Sequence, residues 1–290
     1  MLMDRDETLL RQHQSVLYEL LQVFDSVCKK HDISYMLFAG SALGAVRHNG
    51  FIPWDDDLDV VMLRPEYEHF MEVAEKELNH EFYFLQKEFS EHWPMFFSKL
   101  RKNNTTCLER YVPKNRLMHQ GVYIDIFPCD SLADNKAVRK LQFYASKAVI
   151  AKSLYRRGYL TNSIGKKLFM SVCNLFPGKL LRKFVQRQSD ATSDWVHTFL
   201  GGTSSYEKGI YPRKWLTETV NMSFEDGVYP VSAYYDELLS ALYGDYMTPL
   251  PEEKRGCKVH AEFVDLNRPY TDYLETQRCM EFSEYSRSIR

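Results

Sequence analysis

The chain has 290 residues, 44% hydrophobic and 14% aromatic, which suffices for one large domain or two modest ones with a packed core. Charged residues at 26% and a net charge of −2 are ordinary for a soluble protein. No run of about 18 uncharged apolar residues occurs, so no membrane span is expected, and the opening Met-Leu-Met-Asp-Arg-Asp-Glu lacks the build of a signal peptide, so a cytoplasmic protein is expected.

Residues 7–31 carry Leu9, Leu10, Val16, Leu17, Leu20, Leu21, Phe24 and Val27 at helical spacing and predict an amphipathic helix. A short strand over 35–38 leads into Ala39-Gly40-Ser41, and the next residues read as a helix opening with Ser41 near its N-cap. After a Gly50/Pro53 turn comes a strand over 57–63, and Pro65 is placed to start a helix over 65–78. Strands are expected over 82–86, 95–100 and 122–127, the last closed by Pro128. From 135 to 198 the pattern turns helical, broken near 158–163 and at Pro177-Gly178; beyond 200 come short elements punctuated by Gly and Pro. This order predicts an α/β (α+β) fold: a mixed sheet with flanking helices over 1–130, then a basic helical segment over 131–200. Residues 201–290 are expected to pack back on the core and complete the site.

Asp55, Asp56, Asp57 and Asp59 place four acids in five positions against an apolar run. Carboxylates this close repel one another, and a fold keeps them together at a strand end only with a neutralising charge. Asp57 and Asp59 are two apart and share a strand face, with Leu58 and Val60 on the other. Oxygen-only donors favour Mg²⁺ or Mn²⁺ over Zn²⁺. Asp56 points away from that pair and is expected to be dispensable. Gly40 and Ser41 stand at a strand-to-helix turn, where backbone N–H groups and a hydroxyl make a phosphate site. Asp125 lies in the apolar stretch Val-Tyr-Ile-Asp-Ile-Phe, where a lone carboxylate has no structural reason to be.

Other polar residues are candidates around this centre. Lys99 and Arg101 alternate on a strand and share a face, either toward a diphosphate or as a solvated strand face. Arg47 is a phosphate candidate and His48 a hydrogen-bonding support for the following loop. Trp54 reads as a packing anchor rather than a stacking platform. Asp245 is either a further ligand or turn chemistry in Gly-Asp. The six cysteines, at 28, 107, 129, 173, 257 and 279, form no Cys-x-x-Cys, which argues against a zinc site and a disulfide framework. Cys257 and His260, three apart, read as structural.

A Gly-Ser turn, an Asp-x-Asp strand and a third strand carboxylate make up the core of the nucleotidyltransferase fold. The block from Phe38 to Asp59, Phe-Ala-Gly-Ser-Ala-Leu-Gly-Ala-Val-Arg-His-Asn-Gly-Phe-Ile-Pro-Trp-Asp-Asp-Asp-Leu-Asp, closely resembles the LicD family. That family includes bacterial phosphocholine transferases and has the fukutin-type ribitol-phosphate transferases as relatives. The resemblance continues at Lys99-Leu-Arg101, at Tyr123-Ile-Asp-Ile-Phe-Pro128, and at Tyr243-Gly-Asp-Tyr-Met247 with Pro249, Pro251 and Arg255; it is weakest over 131–200. It implies a divalent metal and a CDP-activated donor such as CDP-choline. Phosphocholine or a related phospho-alcohol would pass to a sugar hydroxyl of a cell-surface glycan, such as teichoic acid or lipopolysaccharide, with release of CMP. It further implies that Asp57 and Asp59 hold the metal, with Asp125 as third ligand or general base. Asp55 would support the site, and Gly40 and Ser41 would meet the donor phosphates. The zinc-binding insertion of the fukutin-related kind has no counterpart in the cysteine spacing.

Residues 131–190 hold 13 Lys/Arg against Asp134 and Asp190, a net of +11 that leaves −13 on the rest. Apolar positions interleave with the cations, which fits basic amphipathic helices on an anionic membrane surface. A lipid-linked glycan acceptor suits that location, on the inner face of the cytoplasmic membrane. Nucleic acid is the competing anionic partner and is not expected; a bundle with a solvated basic face is the plain alternative. Two other functional readings stand beside the transferase. One is an Asp-x-Asp glycosyltransferase using a nucleotide-sugar, disfavoured by the Gly-Ser turn 16 residues upstream. The other is a catalytically silent adaptor of membrane glycan assembly, disfavoured by the intact acid triad.

Overall fold

The computed structural model describes residues 2–90, 93, 95–109, 118–156, 159, 161–186, 193–200, 205–252, 255 and 261–273. The Cys257/His260 pair and Cys279 lie outside the described residues, and the cysteines within them, Cys28, Cys107, Cys129 and Cys173, are free and buried.

α1 (Leu2–Lys30) is the long helix that its apolar spacing predicts. Its buried stripe of Leu17, Leu20, Leu21, Phe24 and Val27 packs with Phe70 of α3 (Arg64–Glu77) on one face of a mixed sheet. Five strands lie in the spatial order β1 (Met36–Leu37), β2 (Asp59–Leu63), β6 (Tyr123–Ser131), β4 (Ser98–Lys102), β3 (Tyr83–Gln86). β2 and β6 run parallel; the other pairs are antiparallel. β7 (Trp195–His197) pairs with the far end of β6, and β8 (Ile210–Pro212) pairs with β7. Two smaller ladders join β9 (Thr219–Phe224) to β10 (Gly227–Ser232), and β5 (Thr106–Glu109) to β11 (Ala261–Asp265).

Strand alternation sorts the two faces. Val60, Met62, Leu100, Ile124 and Ile126 point to the α1/α3 side and are fully buried. On the other face, Val61 and Cys129 are covered by Phe38, Val196, Tyr211, Leu216 and Leu238. Phe127 on that face meets a cluster that includes Trp93, Phe97, Val149 and Val185. This cluster docks α4 (Lys136–Arg156) and α6 (Gly178–Val185) on the sheet, while α5 (Ile164–Leu175) rests on α4 through Met170, Cys173 and Ala151. Residues 157, 158 and 160 and the run 187–192 lie outside the described residues. Among the described residues no helix is long and apolar enough to cross a membrane.

The structure departs from the sequence pattern in four places, each with a physical reason. α2 spans Ala39–His48 and its N-cap is Phe38, not Ser41, whose hydroxyl is engaged elsewhere. β4 starts at Ser98, because Phe96 and Phe97 of the apolar run are side chains packed under the helical segment. β6 continues through Pro128. Asp125 N–H donates to Leu58 O on the β2 side, so the position of residue 128 faces the opposite side, where β4 has already ended. A missing N–H costs nothing there. Finally, Trp195–His197 closes the helical stretch as a strand, drawn in by pairing with Asp130 and Ser131.

Candidate active site

The register of the three central strands builds one row. Asp59 stands opposite Asp125, and Asp125 opposite Lys99, so all three side chains share one face of the sheet. Arg101, opposite Tyr123, lies on the same face one step along. Just ahead of β2, the segment carrying Asp55 and Asp57 bends beside the start of α2. Asp59 N–H donates to Ser41 Oγ at 2.8 Å, so Ser41 fixes the strand end to the helix. At the turn between them, Ala39 adopts φ 48°, uncommon for a residue with a Cβ. Gly40 follows, and a Cβ there would come within 2.9 Å of Asp55 Oδ2. Gly44 is held closer still: a Cβ would stand 2.4 Å from Gly50 O.

These elements form a cleft of about 510 Å³, lined by Gly40, Leu43 and Arg47 of α2, by Ile52, Trp54, Asp55, Asp57 and Asp59, and by residues of the 243–250 stretch that include Tyr243, Asp245 and Tyr246. Arg47 crosses between the walls. Its Nη1 donates to Tyr246 O at 2.5 Å and its Nε to His48 Nε2 at 3.0 Å. That geometry makes His48 Nε2 an acceptor; burial, then Arg47, lowers the pKa of the ring. Arg47 itself is lowered by burial and by Arg255, whose guanidinium lies 4.8 Å above the Trp54 ring. Tyr246 OH donates to Asp236 in α7 (Tyr235–Tyr243) at 2.6 Å, which anchors this wall.

Charge is concentrated on the acidic wall. Burial, then Asp57, Asp125 and Asp55, push the Asp59 carboxyl well above the usual range, against the pull of Lys99. Burial, then Asp59, Asp57 and Asp55, raise the Tyr243 phenol. Asp125 is pushed up to about 6 by burial, with Lys99 opposing. Lys99 Nζ is 2.9 Å from Asp125 Oδ1, a buried ion pair. It is also 3.4 Å from Glu109 Oε2 and 3.1 Å above the Tyr123 ring.

The donor set suits a hard divalent cation. Asp57 and Asp59 are the oxygen donors of the acidic wall, and Mg²⁺ is commonly held by one or two carboxylates together with substrate phosphates and water. Among the described residues no group of three or more His, Cys, Asp or Glu side chains is arranged to hold a metal. The sequence expects Asp125 as third ligand or base; it stands opposite Asp59 in the strand row, and its carboxylate is paired with Lys99.

The remaining candidates fall into place as follows. Lys99 and Arg101 share a face, and that face is turned inward: they are 1% and 0% exposed and line no part of the cleft. Arg101 is held by Gln86 Oε1 at 2.6 Å, Gly121 O at 2.8 Å and Glu109 Oε1 at 3.0 Å. Their charges therefore answer Asp125 and Glu109, and neither strand face is solvated. Asp245 is exposed at the cleft mouth and accepts from Thr248 Oγ1 at 2.7 Å, which is turn chemistry. Trp54 is half-buried, packed on the core and edge-on to His48.

Asp56 corrects the expectation that it is dispensable. It is buried, Ala261 N–H donates to its Oδ2 at 3.2 Å, and its carbonyl meets His13 Nε2 at 3.1 Å. Beside it, Gln14 Nε2 donates to Ile52 O and Asp55 O. His13 and Gln14 thus clamp the acidic segment from α1. The signal was present in the sequence: His13 stands four residues before Leu17 on the apolar stripe, where a polar side chain needs a partner.

Residues 32–157 match the model of the LicD/FKTN/FKRP nucleotidyltransferase domain. Over 253 residues the chain is 28% identical to the lipopolysaccharide cholinephosphotransferase LicD of Haemophilus influenzae, an alignment covering 84% of this chain and 93% of that protein. Shorter similarities link it to uncharacterized proteins of Rickettsia typhi (40% identity, 57 residues, 20% of this chain and 18% of that one) and Rickettsia prowazekii (28%, 116 residues, 39% and 40%).

Proposed function

We propose, since residues 32–157 are a LicD-family nucleotidyltransferase-like domain, that this protein transfers phosphocholine or a related phospho-alcohol from a CDP-activated donor to a sugar hydroxyl. The acceptor is a cell-surface glycan such as teichoic acid or lipopolysaccharide, on a lipid-linked precursor, and CMP is released. The reading is carried by one observation: Asp57 and Asp59 line the same cleft as Gly40 and Arg47. A phosphate chain laid there would meet acids on one side and a guanidinium on the other.

Mg²⁺ or Mn²⁺, held by Asp57 and Asp59, would neutralise charge on the donor diphosphate. Arg47 supplies the cationic contact; two of its N–H groups are engaged and its planar fork retains others for phosphate oxygens. Gly40 leaves room for the Asp55 carboxylate at the cleft wall, where a Cβ would stand 2.9 Å from Oδ2. Ser41 holds Asp59 in place. The acceptor hydroxyl attacks the phosphorus that bears the alcohol; the new O–P bond forms as the bond to the CMP oxygen breaks. The hydroxyl proton goes to Asp125, whose carboxyl near 6 suits a base at neutral pH. Lys99 is the positioning residue for Asp125.

Thermal shift with CDP-choline, CDP-ribitol, CDP-glycerol and UDP-sugars, each with and without Mg²⁺, tests the donor class. Stabilisation by a CDP-alcohol that requires Mg²⁺ supports the reading. Stabilisation by UDP-sugars alone would replace it with the glycosyltransferase.

A further inference from the structure

The basic helices carry two features that the cleft does not use. The first is a cavity of about 220 Å³ between α4 and α6, lined by Phe89, Val149, Lys152, Ser153, Arg156, Gly178, Lys179 and Arg182. Half of that lining is cationic, and none of it is acidic. Lys152 is fixed by donating to Asn174 O at 2.5 Å and Phe176 O at 3.0 Å, at the end of α5. The Arg182 guanidinium lies 4.2 Å above the Phe89 ring and also faces Glu88, whose carboxylate is held by Arg64. Arg156 and Lys179 complete the rim.

The second feature is an apolar ridge in solvent. Ile164, Leu168 and Leu175 are 82%, 64% and 85% exposed, and their spacing puts them on one stripe of α5. The opposite stripe, Met170 and Cys173, is the one that packs on α4. Leu180 on α6 is 66% exposed and Phe176, between the helices, 50%. Apolar side chains of this size at this exposure, on two consecutive helices, mark a surface that is covered in use.

A protein partner would have to match both the ridge and the cations; an anionic bilayer does so by composition. The segment carries a net of +11, which complements anionic headgroups, and the ridge supplies the side chains that enter the acyl boundary. We infer that α4, α5 and α6 form a docking surface for an anionic phospholipid membrane. The ridge of Ile164, Leu168, Leu175 and Leu180 is immersed at the interface, and a headgroup phosphate is seated among Lys152, Arg156, Lys179 and Arg182. The inference does not rest on the chemistry of the cleft.

The test is co-sedimentation of the full chain with vesicles of phosphatidylglycerol and phosphatidylcholine, and with phosphatidylcholine alone. Binding is expected only with the anionic lipid and is expected to fall with salt. The pair Leu168→Asp/Leu175→Asp and the pair Arg156→Glu/Lys179→Glu should each weaken it by roughly tenfold or more. All four side chains are exposed or on the cavity rim, and an unchanged Tm confirms that the variants fold. Equal binding to neutral vesicles, no binding, or binding unchanged in either pair would overturn the inference. So would a stable dimer that Leu168→Asp/Leu175→Asp abolishes in the absence of vesicle binding.

Discussion

Replacing Lys99 with methionine separates a buried charge clamp from a donor contact. The ammonium lies 2.9 Å from Asp125 and 3.4 Å from Glu109, and its side chain is 2% exposed. Met preserves volume and removes the charge. Arg101 still neutralises Glu109, but Asp125 is left buried without its cation. Breaking a buried pair from one side costs about 3–5 kcal/mol, and the remaining Arg101 places this case near 3. At roughly 2 °C per kcal/mol for a large chain, Tm should fall by about 6 °C. Asp125 also loses the influence that opposes its upward shift, so the acid limb of the activity profile should move to higher pH. Calorimetry and a pH–rate profile on Lys99→Met read both effects. A Tm within about 1 °C of the parent, with a raised KM for donor and unchanged kcat, would show that Lys99 serves the substrate instead.

Three further outcomes are expected. Asp59→Asn should reduce transfer by at least about 100-fold while raising Tm at neutral pH, because ionisation of a carboxyl pushed up on folding opposes folding there; a lowered Tm would contradict it. Gly44→Ala should cost about 1–3 kcal/mol, since the added methyl meets the Gly50 backbone rather than a movable side chain, and urea melts that match the parent would refute the contact. His197 is held neutral, donating from Nε2 to Val185 O and accepting at Nδ1 from Phe199 N–H, and burial lowers its pKa to about 4. Its contribution is therefore complete above pH ~6.5 and is lost as pH falls from there toward 4, about 3 kcal/mol in all. Urea midpoints across that window should fall less steeply in His197→Gln, and an identical slope would exclude His197 as the source.

Much of this architecture is legible in local pattern. The stripe of α1, the strand alternation of Asp59–Leu63 and the breaks near 160 and at Pro177-Gly178 are periodicity and turn chemistry, which a chain displays without its partners. The cleft acids are legible for a related reason, since carboxylates crowded against an apolar strand need an explanation wherever they occur. What sequence hides is the direction of a face. Lys99 and Arg101 alternate as a solvated or substrate-facing pair would, and only the pairing of β4 between β3 and β6, with Trp93 and Tyr123 beside the charges, turns them inward. Asp56 is similar: its partner, the Ala261 amide, stands 205 residues away. The strand at Trp195–His197 exists because β6 outruns β4 and leaves an edge to be paired.

We propose that the Asp57/Asp59 cleft transfers a phospho-alcohol from a CDP donor in a metal-dependent reaction. Chromatographic measurement of CMP released from CDP-choline, with Mg²⁺ and a sugar acceptor, tests it directly when run beside Asp57→Ala and a chelator control. CMP release that needs both Mg²⁺ and acceptor, and that disappears in Asp57→Ala, is the predicted result. Release that is unchanged in Asp57→Ala, or that proceeds equally in the chelator, would exclude metal-dependent transfer by this cleft.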